Sequence, residues 1–128
     1  MTESRKRILL IEEEPILRDI AEFRLELLGH LVTSVDSADA ALERLAEETP
    51  DLAAVGNVAD MDPIDLVNRL SEDPRTRELP ILYLSAVSDL DEVQRAFNAG
   101  ADEYLLIPYD PMMLETKVGE LLTAAVRS

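Results

Sequence analysis

Residues 8–15 read ILLIEEEP, an apolar run followed by three consecutive glutamates and a proline. An apolar run of this length bounded by charge is typical of a buried strand, and Pro15 suits the first turn of a helix. The glutamates are therefore predicted at a strand-to-helix corner. Ligands of open parallel α/β sheets bind at the carboxyl ends of the strands, so Glu12 and Glu13 are candidates for metal or phosphoryl chemistry.

Four further apolar runs predict four more strands. They lie at residues 31–35, 52–55, 81–84 and 104–107. The segments between them carry apolar residues at helical spacing, for example Ile16, Ile20, Phe23 and Leu27 in the first. This β-α alternation predicts a doubly wound, flavodoxin-like α/β fold, with a five-stranded parallel sheet of order 2-1-3-4-5 and five helices.

Helix-start and helix-end signals agree with this division. Ser37, Asp62 and Asp110 are predicted N-caps, the two aspartates each preceding a proline. Gly29 and Gly100 suit the ends of the first and fourth helices. The chain shows no internal repeat or linker, so residues 1–128 are predicted to form a single domain.

Composition narrows the class of protein. The chain has 128 residues, 47% of them hydrophobic, which is enough for one core, and its lack of cysteine excludes a disulfide framework or a thiolate site. No signal-peptide core or membrane span is visible, so we expect a cytoplasmic protein that does not bind membranes. The formal net charge of −15 opposes nucleic acid phosphates, so no nucleic acid partner is expected.

Topology predicts which residues share the carboxyl edge of the sheet. They are the pairs that follow strands one, three, four and five: Glu12 and Glu13, Gly56 and Asn57, Ser85 and Ala86, Ile107 and Pro108.

Four stretches together resemble the receiver domain of bacterial two-component response regulators. They are ILLIEEEP (8–15), PDLAAV (50–55), LPILYLSA (79–86) and AGADEYLLIPY (99–109). The resemblance implies a phosphoryl-accepting aspartate at the end of strand three and two Mg²⁺-binding acids after strand one. It also implies a Ser or Thr after strand four and a Lys after strand five that bind the phosphoryl oxygens, and a strand-five aromatic that moves with the Ser or Thr.

The chain departs from this pattern at several positions. The acceptor position falls on Gly56, or on Val55 or Asn57 if the shortened loop shifts the alignment by one residue, and none of these is a carboxylate. The lysine position falls on Ile107. Glu12 and Glu13 replace the usual aspartates. The resemblance is thus to a degenerate, pseudo-receiver variant.

Ser85 and Tyr104 keep the positions of the family's switch pair. They imply an interaction surface formed by the fourth helix, the fifth strand and the fifth helix. An alternative interpretation is structural: Tyr104 fills a half-buried strand position and Ser85 satisfies a backbone group. For Glu13 and Glu14 the structural alternative is stabilisation by the helix dipole.

The sequence therefore predicts a phosphorylation-independent signalling module that is not an enzyme. We expect it to bind another signalling protein or an output domain, or to self-associate through the surface of the fourth helix, fifth strand and fifth helix. No cofactor is expected, and Mg²⁺ is not, although Glu12 and Glu13 remain candidate ligands.

Two alternatives stay open at this stage. The first is an atypical phosphoryl-accepting receiver or metal-binding enzyme that uses Glu12 and Glu13 with a non-standard acceptor such as Asp60 or Asp62. The second is a flavin or nucleotide binder, which the lack of a Gly-rich loop after strand one disfavours.

Overall fold

The computed structural model describes residues 5–108 and 110–127, and gives the backbone alone for residues 125–127. Residues 1–4, Tyr109 and Ser128, which the predicted domain includes, lie outside the described residues. Strands and helices alternate along the chain in the following order: β1 (Arg7–Ile11), α1 (Pro15–Leu27), β2 (Leu31–Val35), α2 (Ala38–Glu47), β3 (Leu52–Val55), α3 (Pro63–Glu72), β4 (Ile81–Ser85), α4 (Leu90–Ala99), β5 (Glu103–Leu106) and α5 (Pro111–Arg127).

The five strands form one parallel sheet of order β2-β1-β3-β4-β5, as the sequence predicted. Strand β3 is central, and its small side chains are fully buried, which suits a strand covered by helices on both faces. The order reverses between β1 and β3, so the carboxyl ends of these two strands flank the switch point of the sheet.

Two hydrophobic layers cover the sheet. Side chains of α1 and α5, such as Leu25 and Leu114, pack on one face with Leu10 of β1. Helices α2, α3 and α4 pack on the other face, where Leu45 and Val67 are buried. Complete burial of one such side chain contributes about 1.5–3 kcal/mol to stability, so this packing holds the strand ends in place.

The predicted helix caps are confirmed. Ser37 Oγ accepts the N–H of Ala40 at 3.0 Å, and the carboxylates of Asp62 and Asp110 each accept an N–H two residues ahead at 2.9 Å. Gly29 and Gly100 have φ values of +93° and +127°, in the region that favours glycine.

Helix α1 forms where its spacing predicted, but its regular apolar residues face solvent. Phe23 is 61% exposed and Ile16 67%, and Ile20 and Leu27 lie on the same side. The residues that pack on the sheet are Ala21 and Leu25. Because α1 has apolar residues on two faces, the spacing of apolar residues alone did not identify which face is buried.

Strand β5 begins and ends one residue earlier than predicted. It ends at Leu106, and Ile107 follows it, donating its N–H to the carbonyl of Ser85 at 2.8 Å. The Ile107–Pro108 peptide bond is cis. No described helix has the length and apolar character needed to cross a membrane.

Candidate functional site

A cleft of about 340 Å³ opens at the carboxyl edge of the sheet. Its walls come from the β1–α1, β3–α3 and β4–α4 connections and from the end of β5. Of the eight edge residues named from topology, all except Pro108 line it. They are Glu12, Glu13, Gly56, Asn57, Ser85, Ala86 and Ile107.

Glu12 turns inward at the end of β1 and is only 2% exposed. Its Oε2 accepts the backbone N–H of Glu14 at 2.9 Å, and its Oε1 accepts that of Asn57 at 3.2 Å. Burial raises the pKa of the Glu12 carboxyl above its ordinary value; the two hydrogen bonds oppose this, and the negative charges of Glu13 and Glu14 add to it. The buried Glu12 side chain thus connects the segments that follow β1 and β3 through its hydrogen bonds.

Asn57 also binds Glu13, a role that the sequence did not reveal. Its Nδ2 donates to Glu13 Oε2 at 2.9 Å, and its carbonyl accepts the N–H of Glu13, also at 2.9 Å. The adjacent Glu14 is the N-cap of α1, with its carboxylate accepting the N–H of Ile16 at 2.6 Å. Each of the three glutamates therefore has defined hydrogen-bond partners.

Gly56 lies directly after β3 against the Glu12 side chain. Its N–H donates to the carbonyl of Ile11 at 2.7 Å. A Cβ added to Gly56 would overlap Glu12 Oε1 and would lie 3.0 Å from the Ile11 carbonyl oxygen. While Glu12 holds this conformation, residue 56 has no space for a side chain.

The acids of the cleft do not form a ready site for Mg²⁺. Magnesium requires near-octahedral oxygen coordination, usually with carboxylates that are free to bind. Both oxygens of Glu12 already accept backbone N–H groups, and Glu13 is engaged by Asn57. Within residues 5–108 and 110–127 no group of three or more His, Cys, Asp or Glu side chains is placed to hold a metal ion.

Ser85 and Tyr104 both bind the backbone of Val87, in the connection after β4. Ser85 Oγ accepts its N–H at 3.1 Å, and the Tyr104 hydroxyl donates to its carbonyl at 2.5 Å. Ser85 therefore satisfies a backbone group, as its structural interpretation predicted, and Tyr104 is half-buried.

Tyr83 is a further residue of this region, although it was not among the site residues predicted from the sequence. Its ring packs on that of Tyr104, with centroids 5.4 Å apart, and its hydroxyl donates to Glu92 of α4 at 3.3 Å. Burial is the main cause that raises the pKa of Tyr83 above its ordinary value, and the nearby Glu92 carboxylate adds to it. The signal was present in the sequence, because Tyr83 lies two residues before Ser85 and so faces the same side of β4.

The two candidate acceptors, Asp60 and Asp62, are not among the residues that line the cleft. Asp60 accepts the N–H groups of Ala38 at 2.9 Å and Asp39 at 3.0 Å, and these bonds lower the pKa of its carboxyl. Asp60 therefore satisfies two further N–H groups at the start of α2, beside the Ser37 cap. Asp62 caps α3 and lies 3.8 Å from Arg95.

Neither lysine of the chain lines the cleft. Lys117 of α5 pairs with Glu103 at 3.1 Å, and Lys6 immediately precedes β1 at the opposite edge of the sheet. The residue that follows β5 at the cleft is Ile107, which carries no charge.

Comparison with known families gives one match that spans most of the chain. The model described as "Response regulator receiver domain" matches residues 8–119. A 14.6 kDa uncharacterized protein of Leptolyngbya boryana is 37% identical over 109 residues, which cover 84% of this chain and 82% of that protein.

Longer relatives match over part of their length. The DNA-binding dual master transcriptional regulator RpaA of Synechocystis is 29% identical over 117 residues, which are 91% of this chain but 48% of the regulator. The chain therefore spans about half the length of such transcriptional regulators.

Solved structures give the same fold. The signal receiver domain of a histidine kinase from Syntrophus aciditrophicus is 27% identical, with a TM-score of 0.89 and coverage of 96% of this chain and 94% of that one. A CheY-like receiver domain protein from Methanospirillum hungatei is 25% identical, with a TM-score of 0.90 and coverage of 97% and 98%.

Proposed function

Because the chain belongs to the family of response regulator receiver domains, we propose that it is a degenerate receiver that signals without being phosphorylated. It acts by binding another protein and performs no chemistry of its own. The family assignment gives the signalling role, and the independence from phosphorylation is our proposal.

The observation that carries this proposal is the composition of the cleft. A phosphoryl-accepting site needs a carboxylate nucleophile and cations that neutralise the transferring group. The residue that directly follows β3 at the cleft is Gly56, which has no side chain, and the residue that follows β5 is the uncharged Ile107. The remaining carboxylates in this part of the site are already hydrogen-bonded, which supports a structural role for them.

The surface proposed for the partner lies on α4, β5 and α5. Among the described residues, its exposed large apolar side chains are those of Leu90 and Phe97 on α4, Leu106 on β5, and Met112 and Met113 on α5. Leu90 and Phe97 lie seven residues apart and share one face of their helix. Exposed apolar residues grouped on adjacent elements are typical of an interaction site, and methionine adapts readily to a partner's shape.

The proposed partner is a signalling protein or an output domain, and the proposed location is the cytoplasm. The net charge of −15 opposes long-range attraction to nucleic acids and favours a partner with a basic surface. Self-association through the same surface brings two strongly acidic copies together, so a different protein is the better-suited occupant.

Mass spectrometry after incubation with a phosphodonor tests the proposal. The protein is incubated with acetyl phosphate and Mg²⁺, and separately with an active histidine kinase and ATP. A receiver domain that carries an acceptor aspartate serves as the positive control in both reactions. We expect the mass of this protein to stay unchanged, whereas a phosphoryl adduct on Asp60, Asp62 or any other residue would show that it is an atypical acceptor.

A further inference from the structure

Helix α1 presents an apolar stripe to solvent, on the side that faces away from the sheet. Four large side chains form it, each between 45% and 67% exposed: Ile16, Ile20, Phe23 and Leu27. We infer that this α1 stripe is an interface through which two copies of the chain pair, with their α1 helices parallel and side by side. The inference goes beyond the proposed function, because it concerns a different surface and a different partner, a second copy of the chain.

The spacing of the α1 stripe is that of a helix that packs along another helix. Its residues follow one another at intervals of four, three and four positions. These are the a and d positions of a heptad repeat, with Ile20 and Leu27 at a and with Ile16 and Phe23 at d. The residues of α1 that pack on its own sheet fall at positions b and f, on the opposite side of the helix. One face of α1 therefore serves the core, and the other has the pattern of a helix-pairing seam.

The charges beside the α1 stripe favour a second copy in parallel orientation. Asp19 lies at a g position, and Arg24 lies at an e position five residues later. In a parallel pair, a residue at g faces the e residue five positions later in the other helix, so Asp19 of each copy would face Arg24 of the second copy. Arg24 already pairs with Glu115 at 2.6 Å, but its side chain is 32% exposed. Because a guanidinium has five N–H groups, Arg24 can bind a second carboxylate.

The same charges disfavour an antiparallel pair. In that arrangement the g positions of the two helices lie together, so Asp19 would approach Glu26 of the second copy and two carboxylates would repel. The overall charge of −15 does not decide the matter, since α1 itself carries two arginines and three carboxylates. Charges are screened over about 8 Å at physiological ionic strength, so this local balance has the larger effect at close range.

The length of the α1 stripe determines how strong the pair is. Ile16 and Leu27 are eleven positions apart, which corresponds to about 16 Å of helix. A contact of this length buries less than the roughly 1,200 Å² of a stable complex, so we expect a weak and reversible dimer with a dissociation constant on the order of tens of micromolar. The dilute chain is then monomeric, and its own stability does not depend on the α1 stripe.

Sedimentation equilibrium of the full chain tests the self-association. The wild type, Phe23→Ser and Phe97→Ser are compared from low micromolar to submillimolar concentrations. We expect the average mass of the wild type to rise towards that of two chains, and Phe23→Ser to raise the dissociation constant about tenfold or more. Phe97→Ser, which removes an exposed aromatic of α4, should associate like the wild type. A wild type that stays monomeric throughout, or association that Phe23→Ser leaves unchanged, would refute the α1 dimer.

Disulfide cross-linking tests the parallel orientation, and the chain suits this method because it has no cysteine. Ile16→Cys, Leu27→Cys and Leu90→Cys are oxidised separately, and the first two are also oxidised as an equal mixture. In a parallel pair each α1 cysteine lies beside its own counterpart, so we expect both α1 variants to cross-link several times faster than Leu90→Cys, although Leu90 is 75% exposed. Equal rates for the three variants would refute the dimer. Links mainly between positions 16 and 27 in the mixture would refute the parallel arrangement.

Discussion

Glu12, Glu13 and Glu14 follow one another in the chain, yet their carboxylates accept hydrogen bonds from different donors. Glu14 caps the helix that it precedes, Glu13 binds the side chain of Asn57, and the buried Glu12 accepts two backbone N–H groups. A carboxylate that is charged inside a protein depends on such donors, because burial alone favours its neutral form. The same residue type therefore serves three purposes, according to where the backbone directs it.

The raised pKa of Glu12 predicts how stability changes with pH. A carboxyl whose pKa is higher in the folded protein contributes favourably at low pH, and this contribution is lost as the pH rises from the unfolded pKa through the folded one. The free energy of unfolding of the wild type relative to E12Q should therefore fall as the pH rises from about 4, near the ordinary pKa of glutamate, towards neutrality. Urea denaturation of both proteins at a series of pH values gives the difference between their free energies of unfolding. A difference that rises with pH would contradict the raised pKa of Glu12.

Helix α1 shows that an element is placed by its neighbours as well as by its own pattern. Its side chains Ala21 and Leu25 pack on the sheet, and Arg24 pairs with Glu115 of α5 at 2.6 Å. Phe23, which lies between them in sequence, points to solvent. The two apolar faces of α1 therefore have different roles, one in the core and one on the surface.

Substitutions on the two faces of α1 should have very different effects on stability. Phe23→Ser removes an exposed ring and should change the free energy of unfolding by about 0.5 kcal/mol or less. Leu25→Ala creates a cavity at a site that is 0% exposed and should cost about 2–5 kcal/mol. Chemical denaturation of the two variants compares them directly. A large loss in Phe23→Ser would mean that this face is covered in the folded protein.

The arrangement of elements could be predicted from the sequence to a large extent. The predicted bounds of two strands, β2 and β3, agree with the structure, and so do the predicted caps at Ser37, Asp62 and Asp110. These features could be predicted because hydrophobic period, side-chain branching and capping chemistry are local properties of the sequence. The strand order predicted from the sequence also placed at one edge of the sheet residues that line the cleft. The contacts of Glu12 with Asn57, and of Tyr83 with Glu92, could not be predicted, because they depend on side-chain directions that only the packed fold determines.

At the scale of the whole molecule, most of the exposed large apolar side chains of the described residues lie in two regions. One is the α4, β5 and α5 surface, and the other is the solvent side of α1. Helices α1 and α4 pack on opposite faces of the sheet, and they contact its opposite edge strands, β2 and β5. The formal net charge of the chain is −15, so long-range electrostatics would favour a basic partner over an acidic one at either surface.

The location of the partner surface can be tested with matched variants. Once a partner has been captured with the wild type and purified, its affinity is measured for Leu90→Ser, Phe97→Ser and Phe23→Ser. We expect each α4 variant to weaken binding about tenfold or more, as removal of a central apolar contact does. Phe23→Ser, an exposed aromatic of the same kind on the other face, should bind like the wild type. The reverse pattern would place the interface on α1.

The close packing of Glu12 against Gly56 has a consequence for how the cleft can change. A side chain at residue 56 would meet the Glu12 carboxylate in its present position, so we expect the effects of substitutions at positions 12 and 56 on stability to be non-additive. The effect of a substitution at either position then depends on which residue occupies the other.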